Sequence, residues 1–180
     1  MPMTTFELAM CEYNEEDING QSKIIYTYFG LAVYQAQCLE ETFSFMLWSS
    51  RIIENNIMTN EEVNEIINSL ENSKKTMGNF IHEVKKTYNL SNDIEQSLIK
   101  ILETRNYLVH KYFKLEISKF YSDEGRKSML KFFSTFVDDA IKLDEDLKTY
   151  SEKYKLKLGL VDKDIEQLME EMKLAEQSQE

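Results

Sequence analysis

SKIIYTYFGLAVYQAQCLEETFSFMLWSSRII, Ser22 to Ile53, carries Ile25, Phe29, Ala32, Ala36, Leu39, Phe43 and Met46 at alternating steps of four and three. That spacing keeps one stripe of a helix apolar and predicts a long amphipathic helix ending at Asn55-Asn56. A single proline, Pro2, and five glycines in 180 residues leave most of the chain free to stay helical.

The same period recurs downstream. Thr59 and Glu62 stand in capping-box spacing before Val63, Ile66, Ile67 and Leu70. A further helix is expected over Met77 to Tyr88. Ser91 reads as the N-cap of a long helix through about Phe120, with Asp93 and Glu95 suiting its positive end. Ser122 opens another, with Met129, Phe133, Phe136, Ala140, Leu143, Leu147, Tyr150 and Tyr154 on its seam and Gly159 at its end. A last helix from Asp162 carries Val161, Ile165, Leu168, Met172 and Ala175.

No run alternates with the period of a strand. The expected fold is all-α: an elongated antiparallel bundle over residues 21–158, after an acidic segment 1–20 and before a C-terminal helix in 159–180.

Composition narrows the class. The chain is 42% hydrophobic and 29% charged, as in an ordinary globular domain. The most apolar segment, Ile24 to Trp48, contains Gln35, Gln37, Glu40 and Glu41, too polar for a membrane span. Residues 1–20 have neither the basic start nor the apolar stretch of a signal peptide. Cys11 and Cys38 form no disulfide framework or metal-ligand spacing, so a cytoplasmic location is expected.

The formal net charge of −11 argues against a nucleic-acid partner, but it is unevenly spread. Residues 1–72 hold 2 basic and 12 acidic side chains, whereas residues 73–131 hold 12 basic and 7 acidic. A locally positive surface can attract phosphate within an acidic protein, because fields are screened beyond about 8–10 Å.

One stretch departs from the bundle pattern. On the seam Ile94, Leu98, Ile101, Arg105, Leu108, Tyr112, Leu115, an arginine stands where the period calls for an apolar residue. Asn106 falls on the neighbouring row with Leu102, Val109 and Phe113, and His110 follows about 40° further round. Burying such groups without partners is costly. They therefore meet partners on another helix, or line a cleft or subunit interface. The plainer alternatives are a polar network fixing helix register and a satisfied histidine beside the core.

The run RNYLVHKY, Arg105 to Tyr112, resembles the R-x4-H-x-Y signature of HEPN domains, helical domains found in many toxin and defence ribonucleases. The resemblance is specific over about eight residues and architectural over roughly residues 21–158. It implies a homodimer with a composite site and metal-independent RNA cleavage without a cofactor. Arg105, Asn106 and His110 would be catalytic, with Lys111 and Lys114 holding the RNA backbone. Tyr112 would match a tyrosine that a partner nucleotidyltransferase modifies in toxin–antitoxin pairs. The alternative is a non-catalytic HEPN-like module that binds a protein or a nucleotide. His82 has no second ligand at metal spacing, and Lys74-Lys75 and Lys85-Lys86 read as solvated helix faces.

Overall fold

The computed structural model describes residues 3–57, 59–159 and 162–177, without the side chains of residues 71, 162, 164–166, 168 and 172. These residues form eight α-helices and no strand: α1 (Thr5–Glu15), α2 (Ile18–Glu54), α3 (Asn60–Glu71), α4 (Met77–Thr87), α5 (Asn92–His110), α6 (Tyr112–Glu116), α7 (Asp123–Lys157) and α8 (Asp162–Gln177). A 3₁₀ turn, Ile117–Tyr121, joins α6 to α7.

The cap residues act as their chemistry requires. The side chains of Thr59, Ser91 and Ser122 each accept a backbone N–H three residues on, satisfying a donor the helix leaves free. Gly159, after the C-cap Leu158, has φ +70, which a glycine adopts without a Cβ clash.

Helices α2 and α7 are the backbone of the bundle and pack along each other. Ile25, Ala32, Ala36, Leu39, Phe43 and Met46 of α2 are buried with Met129, Phe133, Phe136, Ala140, Leu143 and Leu147 of α7. Thr42 donates to Asp144 at 2.5 Å and Tyr154 to Glu54 at 2.9 Å, tying the pair at two levels. Helix α4 lies against α2, and α5 packs against α7, α2 and α4.

Two sequence expectations change, and a third falls outside the described residues. Residues 5–15, inside the acidic N-terminal segment, form a helix that packs on α2 and α7 and sends Ala9 and Tyr13 into the common core. The helix expected from Ser91 through about Phe120 stops at His110, where Lys111 takes φ −130 and ψ −27. Most of the apolar stripe expected on the last helix (Val161, Ile165, Leu168, Met172) lies outside the described side chains.

The break at Lys111 lets the chain hook back. Tyr112 becomes buried against Phe132 and Phe133, while Phe113 meets Phe29 edge-on. Arg126, 8% exposed, holds the base of the hook: its guanidinium donates to the Phe120 carbonyl, Tyr13 Oη and Gln21 Oε1. Gly125 allows the close approach, since a Cβ there would collide with the Lys119 carbonyl. Among the described residues, no helix is long and apolar enough to cross a membrane.

Candidate functional site

Arg105 sits where α5 faces α2. Its seam position draws the side chain inward, and its charge demands a partner, which α2 supplies. Arg105 Nη2 donates to Glu40 Oε1 at 3.1 Å, and Nη1 to Asn106 Oδ1 at 3.3 Å. Nε is buried without a partner.

The guanidinium is braced but not sealed. The Arg105 and Glu40 side chains keep 24% and 29% of their exposure, and one nitrogen, not a two-pronged fork, meets the carboxylate. A pair this open to water contributes roughly 0–1 kcal/mol. A phosphate, which also pairs strongly with a guanidinium, could compete for it at small cost.

Asn106 is exposed rather than lying on a buried row. Only Leu102 and Phe113 of that expected row are half-buried, and Val109 retains 39% exposure. The packed face of α5 is thus narrower than the sequence suggests, and Asn106 lies at its edge beside the guanidinium.

His110 is the last residue of α5, and it is exposed, as are Lys111 and Lys114. The break that ends the helix leaves the imidazole at a corner of the molecule. Arg105 and His110, five residues apart on one helix, are separated by about 140° and about 7.5 Å of rise. A single subunit does not bring them onto one phosphate.

Tyr112 is buried, and its hydroxyl has no hydrogen-bond partner. Burial, then the nearby Glu116 carboxylate and Tyr107, push its phenol far above the ordinary value. A modifying enzyme cannot reach this hydroxyl unless α6 moves. The seam that makes Tyr112 recognisable is also what hides it.

His82 is exposed on α4, Lys75 bridges to Glu83 and Lys85 to Glu95. Among the described residues no three His, Cys, Asp or Glu side chains gather as a metal site.

Sequence reasoning missed Glu40. Its signal was present, because an arginine on a seam calls for an acid on the facing helix. Glu40 and Glu41 were both available, and adjacent positions point about 100° apart. Sequence alone does not set the rotation of α2 that selects Glu40.

No family model matches the chain, and neither any curated protein nor any solved structure is similar enough to match it.

Proposed function

We propose that the chain is a HEPN-type endoribonuclease that works as a symmetric pair. One observation carries the reading: a partly exposed guanidinium, held by Glu40 and Asn106, and an exposed imidazole lie within the last six residues of the same helix, next to the exposed Lys111 and Lys114. Beside them Val109, Leu115 and Ile117 are 39%, 60% and 45% exposed, apolar surface of the kind that a second copy covers. A two-fold contact repeats every residue on both sides, so it would place two Arg105 and two His110 side chains at one cleft.

The chemistry of that cleft needs only the substrate's own nucleophile. One His110 takes the proton of the ribose 2′-hydroxyl, and the 2′-oxygen attacks the adjacent phosphorus. The P–O5′ bond breaks, leaving a 2′,3′-cyclic phosphate, and the imidazolium of the second His110 protonates the departing 5′-oxygen. An imidazole suits both roles because its unperturbed pKa lies near 6.5. Arg105 neutralises charge building on the phosphoryl oxygens. Asn106, already bonded to the guanidinium, fixes its angle, while Lys111 and Lys114 hold the strand. DNA lacks the attacking hydroxyl and is not cut.

The pairing of Arg105 with Glu40 favours a second reading. On that reading a guanidinium that already has a carboxylate serves α5–α2 register, as in a non-catalytic module that binds a protein or nucleotide partner. A toxin–antitoxin or antiviral defence setting belongs to the first reading; an antitoxin or nucleotidyltransferase partner acting at Tyr112 would first have to displace α6.

Incubating the purified chain with labelled RNA in EDTA separates the two. The nuclease reading expects cleavage that survives chelation and disappears in Arg105→Ala and His110→Ala. A dimeric wild type that leaves RNA intact under all conditions would favour the second.

A further inference from the structure

Glu40 has two faces. One oxygen meets Arg105; the side chain also forms a wall of a cavity of about 410 Å³ on the α3–α4 side of α2. Glu41, Ser44, Leu70, Ser73, Lys75 and Phe80 complete its lining.

Most of what this cavity offers a ligand is hydrogen-bond acceptors. Lys75 is committed to Glu83 at 2.5 Å. Glu41 is exposed and has no ion pair or hydrogen bond among the described residues. Ser44 is only 8% exposed, yet its hydroxyl makes no hydrogen bond with any described residue. The hydroxyl of a nine-tenths-buried serine on a cavity wall, without a partner among the described residues, is a group left for something else. Ser73 lines the same wall, and its hydroxyl is also unpartnered. Leu70 and Phe80, 2% and 9% exposed, close the cavity's inner end with a small apolar edge.

We propose that this cavity receives a guanine base from the RNA strand whose phosphate lies at Arg105, with Glu41 taking the base's N1–H and N2–H and Ser44 a further edge atom. Among the four bases, guanine presents two adjacent N–H donors on its pairing edge, which match the two oxygens of one carboxylate. Adenine and cytosine present an amino group beside an acceptor, and uracil a single imino N–H, so each leaves a carboxylate oxygen facing an acceptor or nothing. Because Glu40 touches the guanidinium and walls the cavity, the phosphate site and the base site share a wall. This inference rests on the nuclease reading for its choice of RNA, and single-stranded RNA is where bases are free to be splayed into pockets.

The test is binding, not cleavage. The full-length protein is titrated with 3′-GMP, 3′-IMP, 3′-AMP, 3′-CMP and 3′-UMP and followed by amide chemical shifts. The expected order places 3′-GMP about tenfold or more ahead of the other standard nucleotides, with 3′-IMP, which lacks the N2 amino group, between them. Glu41→Gln and Ser44→Ala should each lower 3′-GMP affinity severalfold, shift the resonances around Leu70 and Phe80 less, and keep the wild-type helical circular dichroism. Equal affinity for all five nucleotides, or a guanine preference untouched in both variants, overturns the pocket. RNA cutting without base preference would remove this pocket and leave the nuclease reading standing. Selective 3′-GMP binding by a protein that cuts no RNA would do the reverse.

Discussion

Tyr107 Oη donates to Glu116 Oε1 at 2.7 Å although the two residues are nine apart in the chain. In a straight helix they would lie about 13.5 Å apart along the axis and on opposite sides. This bond therefore exists only because the chain folds at Lys111, and it closes the hook that leaves His110 at a helix end. The local geometry of the proposed site depends on a contact that reaches from the motif to Glu116 beyond it.

Removing that bond should loosen the hook before it unfolds the bundle. In Tyr107→Phe, hydrogen exchange is expected to quicken over residues 112–121 while α2 and α7 keep their protection. The catalytic reading adds that RNA cleavage falls with it. Uniform exchange across the chain would show that the hook is not a separate unit.

The same bond sets a pH dependence. Hydrogen bonds from Lys119 first and Tyr107 second hold the Glu116 carboxyl below its ordinary 4.5. An acid shifted down stabilises the fold above its ordinary value and ceases to as pH falls through the lowered one. Acid titration should thus release the hook below pH 4.5, seen as new exchange over residues 112–121, and Glu116→Gln should remove that acid-sensitive step.

Tyr112 carries an opposite sign. Its phenol is displaced upward from 10.0, so its contribution to the fold is fully present below that pH and is lost as pH rises from there through the displaced value. Ultraviolet titration should find this tyrosine un-ionised until the protein unfolds in alkali. Because its hydroxyl is buried and unpartnered, Tyr112→Phe is expected to be neutral or to stabilise by about 1 kcal/mol. Tyr112→Ala empties a site among Phe132, Phe133 and Phe113 and should cost about 3–5 kcal/mol. A clear loss of stability in the phenylalanine variant would mean that the hydroxyl has a partner.

Arg126 is the structural counterpart of Arg105. It is nearly buried and satisfied by Tyr13, Gln21 and the Phe120 carbonyl, so Arg126→Ala strands the Gln21 and Phe120 oxygens and leaves Tyr13 Oη with Asp123 alone. A loss of about 3 kcal/mol or more is expected in urea unfolding. Arg105→Ala, by contrast, should cost no more than about 1 kcal/mol, since its pair is open to water. Equal costs would mean that Arg105 is a core residue after all.

Much of the fold was legible because helical spacing and caps are local signals. The seams of α2 and α7, the caps at Thr59, Ser91 and Ser122, and the stop at Gly159 could all be read residue by residue. The break at Lys111 could not, since no proline or glycine marks it; it follows from Tyr107 reaching Glu116 and from the aromatic cluster around Phe132 and Phe133. The helix in the acidic segment was obscured by charge, although Ala9 and Tyr13 are four apart and enter the core together. At the site, Arg105 stood out as a breach of the apolar period, but Asn106 was placed on a buried row because the width of the packed face depends on how α5 sits against α2. Glu40 depends on the same tertiary rotation.

The most direct measurement mixes two disabled proteins. Arg105→Ala and His110→Ala, each inactive alone on labelled RNA in EDTA, are combined under conditions where subunits exchange. Heterodimers would then hold one intact guanidinium and one intact imidazole in the shared cleft, with the second proton transfer left to water, so that recovery is partial. The expected result is recovery of a measurable fraction of wild-type cutting, with 2′,3′-cyclic phosphate ends. A mixture as inactive as its parts, despite demonstrated heterodimers and an active wild type, would contradict a site built across two copies.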